Sequence, residues 1–111
     1  MNEYTVKHGM PSVSEAIHRL NTIISSSINR EKIIKIVHGY GSTGVGGSIK
    51  EAVRQHLSNL MSQGLIQAYV PGEAFGQMMG FDSEIKTFKS LLEKDEDYKK
   101  SNPGITYIVF K

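Results

Sequence analysis

The residues best placed to do chemistry are those of His38-Gly39-Tyr40-Gly41-Ser42-Thr43-Gly44-Val45-Gly46-Gly47-Ser48. Glycines at Gly39, Gly41 and Gly44 let backbone N–H groups converge on an anion, and a helix opening at Ser48 would add the positive end of its dipole. Ser42, Thr43 and Ser48 carry hydroxyls that bind phosphate oxygens, and Tyr40 offers a ring on which a base can stack. Lys50 and Arg54, four residues apart, share one face of the helix that follows and add positive charge. His38 heads the loop, and a second histidine, His8, stands in the parallel context Lys7-His8-Gly9. Imidazole titrates near neutrality and serves as proton donor, proton acceptor or electrostatic clamp. The candidate catalytic residues are therefore His38 and His8. The candidate phosphate-binding residues are Gly39, Tyr40, Gly41, Ser42, Thr43, Gly44, Ser48, Lys50 and Arg54.

These groups work together only if the fold brings them to one place. Tyr4-Thr5-Val6-Lys7 is β-prone and ends at His8-Gly9. Ser12-x-x-Glu15 is a capping box, and Val13, Ala16, Ile17, Leu20, Ile23, Ile24 and Ile28 form a helical stripe behind it. Ile33 to Val37 reads as a strand inside a sheet. After the glycine loop, Ser48-x-x-Glu51 is a second capping box leading Ile49, Ala52, Val53, Leu57, Leu60 and Met61, with Gly64 as the C-terminal stop. Leu65 to Val70 is a third strand closed by Pro71-Gly72. Pro71 to Gly80 has no period. Asp82 is placed to cap a third helix carrying Ile85, Phe88, Leu91 and Leu92, and Glu93 to Lys100 reads as a solvated mixed-charge stretch. Asn102-Pro103-Gly104 turns into a last strand, Ile105 to Phe110. The βαβ order makes the first two strands parallel, so both His-Gly ends reach the carboxyl edge of the sheet, where open α/β sheets bind ligands.

Composition narrows the classes. The 111 residues suit one domain, residues 1–111, with a single core. A formal net charge of +2 permits a polyanionic partner without requiring one. With no cysteine there is no disulfide framework, thiolate metal site or cysteine nucleophile. No signal-peptide pattern and no bilayer-length apolar run is present, so the expectation is a cytoplasmic chain with no membrane partner. Gly46-Gly47-Ser48 puts glycine where a Walker A motif needs lysine. Gly39-x-Gly41-x-x-Gly44 spells a dinucleotide fingerprint, but a helix delayed to Ser48 does not fit it. No metal-ligand spacing is present, and the metal expectation is none. His18 and His56 fall within helices, away from the loop.

The ordered pair Lys7-His8-Gly9 and Val37-His38-Gly39-Tyr40-Gly41, with Gly44 to Gly47, Lys50 and the closing run Gly104 to Val109, resembles the Smr (small MutS-related) family over nearly the whole chain. The resemblance implies an α/β two-layer sandwich with a mixed four-stranded sheet in βαβαβ(α)β order, similar to the C-terminal domain of bacterial translation initiation factor three. It implies DNA or RNA as partner and, as in several members, nicking or cleaving endonuclease activity, with a divalent metal cofactor if nuclease-active. His8 matches the first-motif histidine, and His38, Gly39 and Gly41 match the second motif. Two departures stand out. Val6 occupies the position of the first motif's aspartate, and Ser42, Thr43 and Gly46-Gly47 lengthen the second motif. Glu3, Glu73 and Asp82 are the acids that could take the missing role. A small-molecule phosphate- or nucleotide-binding enzyme and a protein-interaction module are the alternative functions.

Overall fold

A computed structural model of the chain describes residues 1–40, 45–74 and 92–111. The elements are β1 (Asn2–Thr5), α1 (Val13–Ser27), β2 (Ile33–Val37), α2 (Val45–Ser62), β3 (Ala68–Pro71), α3 (Glu96–Lys99) and β4 (Ile105–Val109). The expected third helix from Asp82 lies outside the described residues, apart from Leu92, which is buried.

The four strands form one mixed sheet in the order β1-β2-β4-β3. β1 runs parallel to β2 in the register Thr5↔Val37, and β4 lies antiparallel between β2 and β3. β4 is buried at every position and hydrogen-bonds on both sides, which is why its sequence is an uninterrupted β-branched and aromatic run.

The pleat sends alternate residues of β2 and β4 to opposite faces. Ile34, Ile36, Ile108 and Phe110 pack with Ala16, Leu20 and Ile24 of α1 and Ile49, Val53 and Leu57 of α2. Val6 is fully buried in this cluster, which explains the apolar residue at that position. Ile33, Val37, Ile105, Tyr107 and Val109 face the other way, against Ala74, Leu92 and Tyr98. Within the 92–100 segment, Leu92 and Tyr98 cover part of the reverse face. Most of that segment is exposed, as its mixed charge predicts, but Tyr98 is buried and Asp95 and Asp97 are half-buried. Lys35 of β2 is buried among Glu3, Asp95 and Asp97, with its Nζ 3.1, 3.0 and 2.7 Å from their carboxylates. Asp95 also accepts the Tyr107 hydroxyl at 2.8 Å and caps α3 through the Asp97 N–H. Burial opposes the charge on Lys35, but the three carboxylates outweigh it and hold the ammonium's pKa well above its ordinary value.

Helix ends follow local chemistry. The Ser12 hydroxyl accepts the Glu15 N–H at 3.1 Å, as the capping box predicts. Gly64, at φ +76°, ends α2 with Leu65 N–H on the Leu60 carbonyl and Gly64 N–H on that of Met61. This is the Schellman pattern, for which glycine tolerates the left-handed backbone. The start of α2 departs from expectation: it begins at Val45, so Ser48 lies inside the helix rather than at its cap, and Lys50 falls in the second turn. Gly46 and Gly47 are weak helix formers, but their cost of about 1 kcal/mol each in a helix interior is small beside the burial of Ile49, Val53 and Leu57. Among the described residues, no helix is long and apolar enough to cross a membrane.

Candidate functional site

The parallel pairing of β1 with β2 carries both His-Gly ends to the same sheet edge, and Val6 N–H extends the ladder to the Val37 carbonyl at 3.0 Å. The two ends are built differently. After β1 the chain turns sharply, with Gly9 at φ +76° and Met10 N–H on the Lys7 carbonyl. Arg19 of α1 fastens the turn by donating to the carbonyls of Val6 and His8. The His8 side chain is exposed and makes no hydrogen bond among the described residues.

His38 is the opposite case, fully buried under the edge. Its N–H and that of Gly39 both reach the Gly104 carbonyl at 3.0 Å, tying the end of β2 to the turn before β4. Ring Nδ1 lies 2.7 Å from the Gly39 carbonyl, which only accepts, so Nδ1 carries the proton. Nε2 is then the acceptor for the Thr106 hydroxyl at 2.8 Å. Thr106 Oγ1 in turn accepts the Arg54 Nε–H at 3.1 Å, so every hydrogen in this chain has one place to go. Burial is the main cause that lowers the His38 pKa to about 4, and the nearby positive charges of Arg54 and Lys50 reinforce it. The imidazole is therefore neutral at physiological pH, with both nitrogens engaged. In this arrangement the His38 ring has no exposed atom, and its bonds run to Gly39 and Thr106.

Arg54 links this buried chain to a carboxylate that sequence reasoning left unplaced. Nη1 and Nη2 grip Glu73 at 2.8 and 2.6 Å, and Nη2 also donates to the Ile105 carbonyl at 3.2 Å. Lys50 Nζ stands 3.2 Å from the same carboxylate. Burial would raise the Glu73 carboxyl, but the Arg54 guanidinium, with Lys50, outweighs it and lowers the pKa to about 2. Lys50 and Arg54 do share a face, as their spacing predicts, and the face is partly neutralised from within.

Besides His8, Lys7 and Tyr40 are exposed at this edge among the described residues. The Lys7 side chain lies across Gly39: a methyl group there would stand 3.4 Å from Cδ and 3.9 Å from Nζ. Gly39 has φ +74°, so the absence of a side chain serves both the turn and this approach. The Tyr40 ring rests against Gly104, its Cδ1 placed 3.2 Å from where a Cβ on that glycine would be, yet 60% of the residue remains exposed. Sequence reasoning does not single out Lys7, although it stands directly before His8-Gly9. Gly41, Ser42, Thr43 and Gly44 lie outside the described residues, as does Asp82. Ser48 is exposed on α2. His18 is exposed on α1, and His56 Nε2 bonds Asn21 Oδ1 at 2.7 Å, joining α1 to α2 away from this edge.

The edge thus presents exposed Lys7, His8 and Tyr40, with the His38 imidazole bonded inside the protein through both ring nitrogens. The donor set for a divalent metal is not assembled here: among the described residues no three His, Asp or Glu side chains are grouped to hold a metal ion. No protein-family model, curated protein or solved structure matches the chain.

Proposed function

We propose that the chain is an Smr-like nucleic-acid-binding domain that grips the phosphate backbone of DNA or RNA at the carboxyl edge of β1 and β2. The observation that carries this reading is the pairing of Lys7 with the second His-Gly end. An exposed ammonium lies over Gly39, next to a largely exposed tyrosine and ahead of the segment that enters α2. A cation for phosphate beside a ring for a base is the combination that single-strand binders use. The sheet order, with an antiparallel β4 between β2 and β3, is compatible with the proposed likeness to the C-terminal domain of translation initiation factor three. A cytoplasmic location belongs to the same reading.

Binding is favoured over cleavage. A general acid or base must reach the reacting atoms, and His38 has both nitrogens committed inside the protein. The acid that would partner His8 is replaced by buried Val6. Cleavage through His38 would need the His38–Thr106 bond to open first. The test is an amide and side-chain NMR titration with a short single-stranded oligonucleotide. The reading requires shifts concentrated at Lys7, Gly39, Tyr40 and Lys50. Shifts confined to other surfaces, or none, refute it, and a response to a mononucleotide equal to that of the oligonucleotide favours a small-molecule phosphate site.

A further inference from the structure

Part of the anion seat at this edge is already filled by the protein itself. We propose that Glu73 is a built-in competitor for nucleic-acid phosphate, occupying the place on Arg54 and Lys50 that a phosphate group would take. The inference rests on the phosphate-binding reading above and assigns Glu73 the role of setting its affinity.

Four features carry it. The carboxylate meets the Arg54 guanidinium in a two-point fork at 2.6 and 2.8 Å, the geometry that arginine uses for phosphate. Lys50 closes a further side at 3.2 Å, so the seat is a cation pair rather than a single residue. Arg54 does not depend on Glu73 for its position, because Thr106 Oγ1 and the Ile105 carbonyl hold its Nε and Nη2 from behind. A departing carboxylate therefore leaves a preformed site. Finally, Lys50 and Arg54 also line an open groove of about 470 Å³ with Glu51, Gln55, Ser58 and Tyr69, so an incoming strand has a route to the same cations past one carboxylate.

Glu73 is delivered to this place by a tight turn. Gly72 N–H bonds the Ile105 carbonyl at 3.0 Å, and Gly72 packs so closely on Ile105 and Asn102 that no side chain fits. A carboxylate held this way competes at high effective concentration. A free phosphate, with no other anchor, displaces it poorly. A strand held at other points on the protein presents a further phosphate at raised effective concentration and displaces it more readily. The competitor thus makes the site selective for a polyanion over a single phosphate.

The experiment compares wild type, Glu73→Gln and Glu73→Asp for binding of a fluorescein-labelled single-stranded oligonucleotide across a salt series, with inorganic phosphate as a second probe. Freeing two cations should tighten oligonucleotide binding roughly tenfold at low salt and steepen the log–log salt slope by about 0.7 for each new phosphate contact. Inorganic phosphate should compete measurably only with Glu73→Gln. Glu73→Asp keeps the charge on a shorter arm and should fall between the two, which protects the test if Glu73→Gln is poorly folded. Binding by wild type with equal affinity and slope in the variants overturns the competitor role alone. Absence of oligonucleotide binding in all three overturns the phosphate-grip reading together with it.

Discussion

Acidification should destabilise this domain through His38 before any carboxylate contributes. In the folded protein the imidazole is fully buried and its pKa is lowered to about 4, against 6.5 when unfolded. Below pH 6.5 the unfolded chain therefore binds a proton that the native state refuses. Stability rises with pH across this window and falls as pH is lowered from 6.5 towards 4, by about 1.4 kcal/mol per pH unit and about 3 kcal/mol in all. That is a large fraction of the roughly 5–15 kcal/mol that holds such a domain together. The charged groups facing the ring are Arg54 and Lys50, which oppose its protonation, and Glu73, which favours it and stays ionised until much lower pH. The assay is denaturant unfolding at closely spaced pH values for wild type and His38→Gln. Glutamine has no imidazole to titrate, and its amide reaches the position of Nε2 beside Thr106. The wild-type curve should fall away from the variant's between pH 6.5 and 4 and run parallel to it above pH 7. Parallel curves throughout would refute the argument that burial and the Thr106–Arg54 chain keep this imidazole neutral.

Three further substitutions probe the scaffold. Asp95→Ala removes a partner of buried Lys35, the acceptor of the Tyr107 hydroxyl and the cap of α3, and should cost about 3 kcal/mol or more, seen as a lowered thermal midpoint. Gly72→Ala drives a methyl group into the Asn102 carbonyl and to 2.5 Å from Ile105 Cγ1, so its chemical-denaturation midpoint should drop by the equivalent of about 2 kcal/mol; an unchanged midpoint would mean the β3 turn is looser than described. Val6→Asp places an acid in the buried cluster under α1 and α2, and should yield an unfolded or strongly destabilised protein by circular dichroism rather than a gain of cleavage.

What could be read from the sequence was what local chemistry determines. The Ser12 cap, the stripe of α1, the end of α2 at Gly64 and the strands at Ile33 and Ile105 each carry their signal within a few residues. Both His-Gly motifs reach one edge because a βαβ unit makes β1 and β2 parallel. What escaped was set by distant partners. Lys35 looks like an interruption in an apolar strand until Asp95 and Asp97, 60 and 62 positions away, are brought to it. His38 looks like a reactive loop residue until Thr106, 68 positions on, takes its Nε2. Glu73 lies in an aperiodic stretch, and only the turn at Gly72 aims it at Arg54. The start of α2 was misplaced because Ser48 and Glu51 imitate a cap, while the glycines before them mask a helical turn.

The proposed function requires that Lys7 and Tyr40, beside the second His-Gly end, grip backbone phosphate and base. The most direct measurement is the salt dependence of affinity for a single-stranded oligonucleotide, wild type against Lys7→Ala. Wild-type affinity should fall steeply with added salt, and Lys7→Ala should bind more weakly with a slope shallower by about 0.7, the share of one lost phosphate contact. Binding that does not change with salt, or a Lys7→Ala protein with wild-type affinity and slope, would contradict it.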